Sequence, residues 1–309
     1  VVIGSFLGTL VGMLPGVGPA TGIAILIPIS YGMDPTTALI TMCAIYYGAM
    51  FGGAITSIMI NTPGDASSIV TCFDGYRMAQ NGRAGAALAT SAIASFIGGM
   101  IACVMVVLLA QLAASFALKF GPAEMFALIL FAMTAAVTLA EGKLLRGLAS
   151  LFAGLVVASI GIDGQSGLVR FTMGLDVLQD GVDFLVAIIG AYALSEVFSS
   201  YAEMNVKHEI DTKRIGRVMI TREDWNRIKT PIIRSTPVAF LLGCLPGIGG
   251  SMTSLIAYTT ERQLAKNPED FGKGDIVGVA APEAANNASA TASIIPMLAI
   301  GIPSSGTTA

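Results

Sequence analysis

Gly12-Met13-Leu14-Pro15-Gly16-Val17-Gly18-Pro19 interrupts otherwise apolar sequence, and Gly243-Cys244-Leu245-Pro246-Gly247-Ile248-Gly249-Gly250 repeats the interruption in the second half of the 309-residue chain. Proline removes a backbone donor and clashes with the preceding turn, while glycine tolerates positive φ, so Pro-Gly-x-Gly breaks any helix that runs into it. Each copy is followed, 40 to 60 residues later, by a second break. These are Asn61-Thr62-Pro63-Gly64-Asp65-Ala66-Ser67-Ser68 and Gly301-Ile302-Pro303-Ser304-Ser305-Gly306-Thr307. At membrane depth, unpaired backbone survives only where protein buries it or it lines a wet cavity. Paired breaks at corresponding positions of two halves mark the binding sites of secondary transporters.

Composition places the chain in a membrane. It is 54% hydrophobic and 12% charged, with a mean hydropathy of +0.76, outside the range of soluble domains. Uncharged runs cover residues 1–33, 35–64, 84–118, 125–140, 147–162, 235–260 and 284–309, material for about eight membrane elements when about 20 apolar residues cross a bilayer. Val1 lies inside an apolar segment, so the chain reads as a piece of a longer protein. Cys43, Cys72, Cys103 and Cys244 are scattered, without C-x-x-C spacing, and read as small packing residues. The single histidine, His208, falls in a charged loop.

In chain order, residues 2–14 are too short to cross as a helix, about 20 Å against the roughly 30 Å core. With residues 21–31 they form either one broken helix or a re-entrant hairpin. Asp34-Pro35 then opens a helix that runs to the break at 61–64, completing a first repeat core over residues 1–83. Within it, Gly48 and Gly52 form a small-residue face for close helix packing. Residues 74–83 read as a polar loop. Residues 84–201 hold four spans: 84–116, 123–140, 144–161 and 184–200. Residues 202–234 are a mixed-charge cytoplasmic linker, with Thr221-Arg222-Glu223-Asp224-Trp225 as a helix start, and 235–309 are the second repeat core. The fold class expected is all-α, a polytopic membrane protein with two inverted repeats containing broken or re-entrant helices. Positive charge favours that arrangement: if the second Pro-Gly element is a hairpin, 15 of the 17 Lys and Arg residues are cytoplasmic. Two full spans per repeat would instead make the halves parallel.

Glu283 is the one carboxylate after Asp275, in Pro282-Glu283-Ala284-Ala285-Asn286-Asn287. A charge at membrane depth costs on the order of 3 kcal/mol, so such a residue is a functional candidate by default. Helical spacing puts Glu283, Asn286 and Asn287 on one face, as oxygen ligands for a coupling cation or with Glu283 as a proton-carrying carboxylate; the alternative sets Glu283 at the headgroups beside Pro282. For the substrate, the expected contacts are Pro15, Gly16, Gly18, Thr21, Asn61, Thr62, Pro63 and Gly64 in one half. In the other they are Pro246, Gly247, Gly249, Gly250, Ser251, Pro303, Ser304 and Ser305. Helix N-termini after the breaks suit a carboxylate, and the carbonyl ends of the preceding half-helices suit Na+. No G-x-S-x-G, H-E-x-x-H or Walker loop occurs, and no catalytic residue or cofactor is expected.

Residues 12–24, Asp34-Pro35-Thr36-Thr37-Ala38-Leu39, residues 46–56, Thr62-Pro63-Gly64 and residues 74–85, with the second Pro-Gly element and Gly301-Ile302-Pro303, together resemble the large membrane subunit of the tripartite tricarboxylate transporters, the TctA family. Arg77 and Ser304 depart from the pattern, which commonly has Pro and Gly there. The resemblance implies a multi-pass secondary transporter of the bacterial inner membrane. It would import tricarboxylates or related carboxylates on a Na+ or H+ gradient, with a small TctB-like membrane subunit and a TctC-like periplasmic solute-binding protein as partners, and no nucleic acid. It also implies a longer protein with a further C-terminal portion. The alternative is a flippase or transporter of a lipid-linked or other anionic substrate that needs no binding protein. Basic residues inside the membrane elements, which such a substrate calls for, are not visible in the sequence.

Overall fold

Asp34 and Pro35 do what their chemistry demands. The Asp34 carboxylate accepts the Thr37 backbone N–H at 3.1 Å, Pro35 occupies the first helical turn, and the helix Pro35–Ile60 runs until Asn61 turns left-handed at φ 53°. In the computed structural model the described residues are 1–14, 18–117, scattered positions between 121 and 134, 144–164, 166–182, 215–245, 248–300, 307 and 308. They are mostly helical: α1 (Val2–Gly12), α2 (Gly18–Ser30), α3 (Pro35–Ile60), α4 (Ile69–Met78), α5 (Ala84–Ala117), α6 (Leu144–Ala158), α7 (Arg222–Gly243), α8 (Gly249–Leu264) and α9 (Val277–Ile300). Strands Gly161–Ile162 (β1) and Val169–Arg170 (β2) pair as a small antiparallel ribbon. Among the described residues, two helical stretches are long and apolar enough to cross a bilayer: Pro35–Ile60 and the continuous Ala66–Leu112.

Each Pro-Gly element lies between two helices that pack side by side. Gly18 (φ 61°) opens α2 and Gly249 (φ 52°) opens α8, so the second glycine of each Pro-Gly-x-Gly adopts the left-handed conformation that favours glycine. From there α2 returns beside α1: a methyl group on Gly22 would stand 2.6 Å from the Val11 side chain, and Val1, Leu7, Leu26 and Met33 line one cleft farther along. In the second half α8 likewise returns beside α7, with Arg234 gripping Glu261 through two hydrogen bonds of 2.8 and 2.5 Å.

The third helix of each half runs parallel to the first. In α1, methyl groups at Gly4, Gly8 and Gly12 would meet Thr41, Ile45 and Ala49 in turn, and the last would come 1.9 Å from the Ala49 carbonyl oxygen. Gly48 and Gly52 answer from α3 against the Ser5 and Thr9 carbonyls, so the small-residue face is a packing face, as its spacing indicates. Likewise Arg227 pairs with Asp275 at 2.6 Å just before the start of α9, while Gly243 abuts Ser289 near the middle of α9. Alanine makes α9 slim enough to sit at the centre: Ala280, Ala281, Ala284, Ala285, Ala288 and Ala292 are fully buried among α4, α5, α7 and α8. Across the halves the direction reverses. Tyr47 hydrogen-bonds Thr291, while Ile58, eleven residues on in α3, lies with Val279 around Gly75, so α3 and α9 run antiparallel.

Two sequence expectations need correction. Residues 74–83 are not a polar loop: α4 extends to Met78 and a π-helical turn at Ala79–Arg83 leads into α5. Asp74 is fully buried there, its Oδ1 accepting the backbone N–H groups of Gly272, Gly274 and Asp275 at 2.7–2.9 Å and its Oδ2 the Tyr258 hydroxyl at 2.8 Å. Those donors are about 200 residues away in sequence, which is why the polarity of the stretch misled. The charged segment 202–234 is also not all linker, because α7 begins at Arg222 and continues through residue 234. The Thr221 start is the expected one: Thr221 and Asp224 form a reciprocal capping box. Burial pushes the Asp224 carboxyl up, but hydrogen bonds from Thr221 and Arg83 outweigh it and hold the group below its usual range. Of the four spans expected over 84–201, α5 matches the first, α6 ends at Ala158 before the β-ribbon, and 123–140 (in part) and 184–200 lie outside the described residues.

Candidate functional site

Glu283 sits in the first half of α9 and is buried by protein, 1% exposed. Its Oε1 accepts the Thr71 hydroxyl of α4 at 2.5 Å, and its Oε2 accepts Ser91 and Ser95 of α5, each at 3.1 Å. Three hydroxyl donors therefore replace the water this carboxylate gives up, without a basic residue among them. Both carboxyl oxygens are thus hydrogen-bonded.

Around it the breaks of the two halves meet. Asp65 caps the short turn Ala66–Ser68, its Oδ2 accepting the Ser67 N–H at 3.2 Å and the Ser67 hydroxyl at 2.5 Å. Gly64 is pressed against the Gly12 carbonyl and Gly53, which brings the second break of the first half onto the end of α1. On the other side of Ser67 stands the start of α8. A methyl group at Gly250 would come 3.0 Å from Ser67 Cβ and 2.6 Å from Asn286 Oδ1.

Of the residues singled out in the sequence, Gly250 and Asn286 meet beside Ser67, Glu283 lies one turn before Asn286 on α9, and Asn61, Thr62, Pro63 and Gly64 precede Asp65 in the first-half break. Gly249 and Ser251 flank Gly250 in the first turn of α8, and Gly18 is buried at the start of α2. Thr21 occupies an exposed position on α2. Asn287 spends its amide on the Glu283 backbone carbonyl one turn back, 3.1 Å away, and so differs from its neighbour Asn286. Pro15, Gly16, Pro246, Gly247, Pro303, Ser304 and Ser305 lie outside the described residues. Sequence reasoning missed Asp65, Thr71, Ser91, Ser95 and the Tyr47–Thr291 pair. Only Asp65 left a readable trace, as the sole charge inside the 61–68 break.

Helices long and apolar enough to cross a bilayer, with a fully buried carboxylate packed among them, are compatible with a membrane protein. The chain belongs to the tripartite tricarboxylate transporter TctA family, which matches residues 1–309. It is 44% identical over 301 residues to an uncharacterized 52.8 kDa protein in the TAR-I ttuC' 3' region of Agrobacterium vitis, covering 97% of this chain and 60% of that protein. A second relative, an uncharacterized protein in the TAR-II ttuC' 3' region of Agrobacterium vitis, is 56% identical over 63 residues, 20% of this chain and 26% of that protein. The chain therefore spans about 60% of the length of the longer relative it matches. No solved structure matches it.

Proposed function

We propose that this chain carries the transport core of the large permease subunit of a binding-protein-dependent secondary transporter of the bacterial inner membrane. The single observation behind the reading is the meeting of the 61–68 break with the start of α8 around the buried Asn286 and Glu283. The substrate is a tricarboxylate or related carboxylate, received by free backbone N–H groups at the start of α8 and by the polar residues of the first-half break, with the Pro-Gly and Gly301-Ile302-Pro303 elements closing the site. Glu283, Asn286 and Asn287 form the region that senses the coupling ion, Na+ or H+.

The two halves are an inverted repeat with re-entrant hairpins. The reversed directions of α3 and α9, with α1 and α7 each parallel to its own third helix, support this. A TctB-like membrane subunit and a TctC-like periplasmic binding protein complete the assembly. Docking of the latter uses residues 31–37 and 163–183, where the ribbon segment presents Met173 (91% exposed) and Val177 (87%). The test is uptake of labelled citrate into proteoliposomes holding the full-length protein and its membrane partner, under imposed Na+ or H+ gradients, with and without the binding protein. Accumulation that needs both a gradient and the binding protein is the expected result. Full-rate uptake without the binding protein, or none under any gradient, would overturn the reading.

A further inference from the structure

Two buried side chains at the junction of the halves lack partners among the described residues. Asn286, 1% exposed, leaves both its Oδ1 and its Nδ2 unsatisfied, and Asp65, 6% exposed, leaves Oδ1 unsatisfied while Ser67 engages Oδ2. Ser67 stands between them: its hydroxyl donates to Asp65 Oδ2, its Cβ and Asn286 Oδ1 both approach Gly250, and Asp65 Oδ1 faces Gly53. Buried polar atoms without partners cost free energy, and a carboxylate oxygen costs most. The other buried carboxylates of the described residues are met. Three hydroxyls serve Glu283, four donors serve Asp74, and arginines serve Asp224, Glu261 and Asp275. Asp65 differs in one oxygen: Ser67 and the capping-box N–H of Ser68 serve its carboxylate, yet Oδ1 keeps no partner among the described residues.

We infer that Asp65 Oδ1 and Asn286 Oδ1 are ligands of one small monovalent cation, of the Na+ class, held in the seam between the 61–68 break and the start of α8. Hard oxygens suit such an ion, and one engaged carboxylate balances one positive charge. A divalent ion gathers several carboxylates, and no group of three or more His, Cys, Asp or Glu side chains able to hold one occurs among the described residues. Glu283 adds field rather than ligation, because its oxygens are already taken by hydroxyls. The inference rests on the transport reading and deepens it. A carboxylate substrate arriving at the start of α8 would meet the negative charge of Asp65 beside it, and a cation on Asp65 removes that repulsion, so the ion binds first and the substrate second.

The test is thermal unfolding of the purified full-length protein in detergent, without substrate, titrated with NaCl against equal KCl or choline chloride. A ligand that binds only the folded state raises the unfolding midpoint. Expected is a rise specific to Na+, whose apparent affinity falls at least ten-fold in Asp65→Asn and several-fold in Asn286→Ala. If Asp65→Asn does not fold, Gly250→Ala decides, because its methyl group intrudes 2.6 Å from Asn286 Oδ1 and should abolish the Na+-specific rise. No Na+-specific rise in the natural protein, or an undiminished one in the folded variants, overturns the site. The proteoliposome assay fails independently: a Na+-specific rise without gradient-driven uptake sinks the transport reading, and uptake without the rise sinks the cation site.

Discussion

At the scale of the residue, Glu283 shows how a buried carboxyl group is accommodated by hydroxyls alone. Thr71, Ser91 and Ser95 each donate a hydroxyl, and each hydroxyl can rotate to accept instead. Glu283→Gln should therefore fold with a loss of no more than about 1 kcal/mol, whereas Glu283→Leu strands three buried hydroxyls at about 1–3 kcal/mol each. Unfolding midpoints in detergent give that comparison, and equal destabilisation by the two variants would refute the hydrogen-bonded account. Transport separates differently. Removing a charge close to a cation at an effective dielectric near 20 is worth about 2 kcal/mol or more, so Glu283→Gln should lower gradient-driven accumulation more than ten-fold despite its intact fold. Glu283 was legible in the sequence because a lone carboxylate in an apolar run has few innocent explanations. Its partners were not, because serine and threonine are common in every part of this chain and only the packing of α4 and α5 against α9 selects these three.

At the scale of the element, the α1–α3 contact is made by backbone on backbone. A methyl group at Gly12 or Gly52 would fall 1.9 or 2.3 Å from a carbonyl oxygen of the opposing helix. Gly12→Ala and Gly52→Ala should each push the helices apart and destabilise the protein by about 1–3 kcal/mol, the usual cost of overpacking. Gly154→Ala, on α6 where a methyl group meets nothing within 4 Å, should be neutral or stabilise by up to about 1 kcal/mol. Heat challenge followed by size-exclusion chromatography ranks the three, and indifference at Gly12 and Gly52 would refute the close seam. The breaks and the Asp34-Pro35 start were legible because glycine, proline and capping residues act locally. Residues 74–83 were not, since the groups that satisfy Asp74 come from the loop before α9.

At the scale of the whole molecule, the reversed directions of α3 and α9 put the start of α3 and the end of α8 at opposite ends. Thr36 and Lys266 are both exposed there. Cysteines at these positions, in a version lacking Cys43, Cys72, Cys103 and Cys244, should be labelled by an impermeant reagent from the periplasm for Thr36→Cys and from the cytoplasm for Lys266→Cys. Labelling of both from one face would exclude the inverted arrangement. The glycine seam between α1 and α3 has a mechanical consequence. Backbone pressed on backbone has no rotamers to exchange, so α1 and α3 travel as one stiff piece. Where α3, α4 and the 61–68 break meet α8 and α9, several contacts are of another kind: Tyr47 with Thr291, Thr71 with Glu283 and Ser67 beside Gly250, made by side chains that can turn and re-form. Sliding is cheapest along that compliant joint, where the ion and the substrate are proposed to sit, so cargo and hinge share one surface.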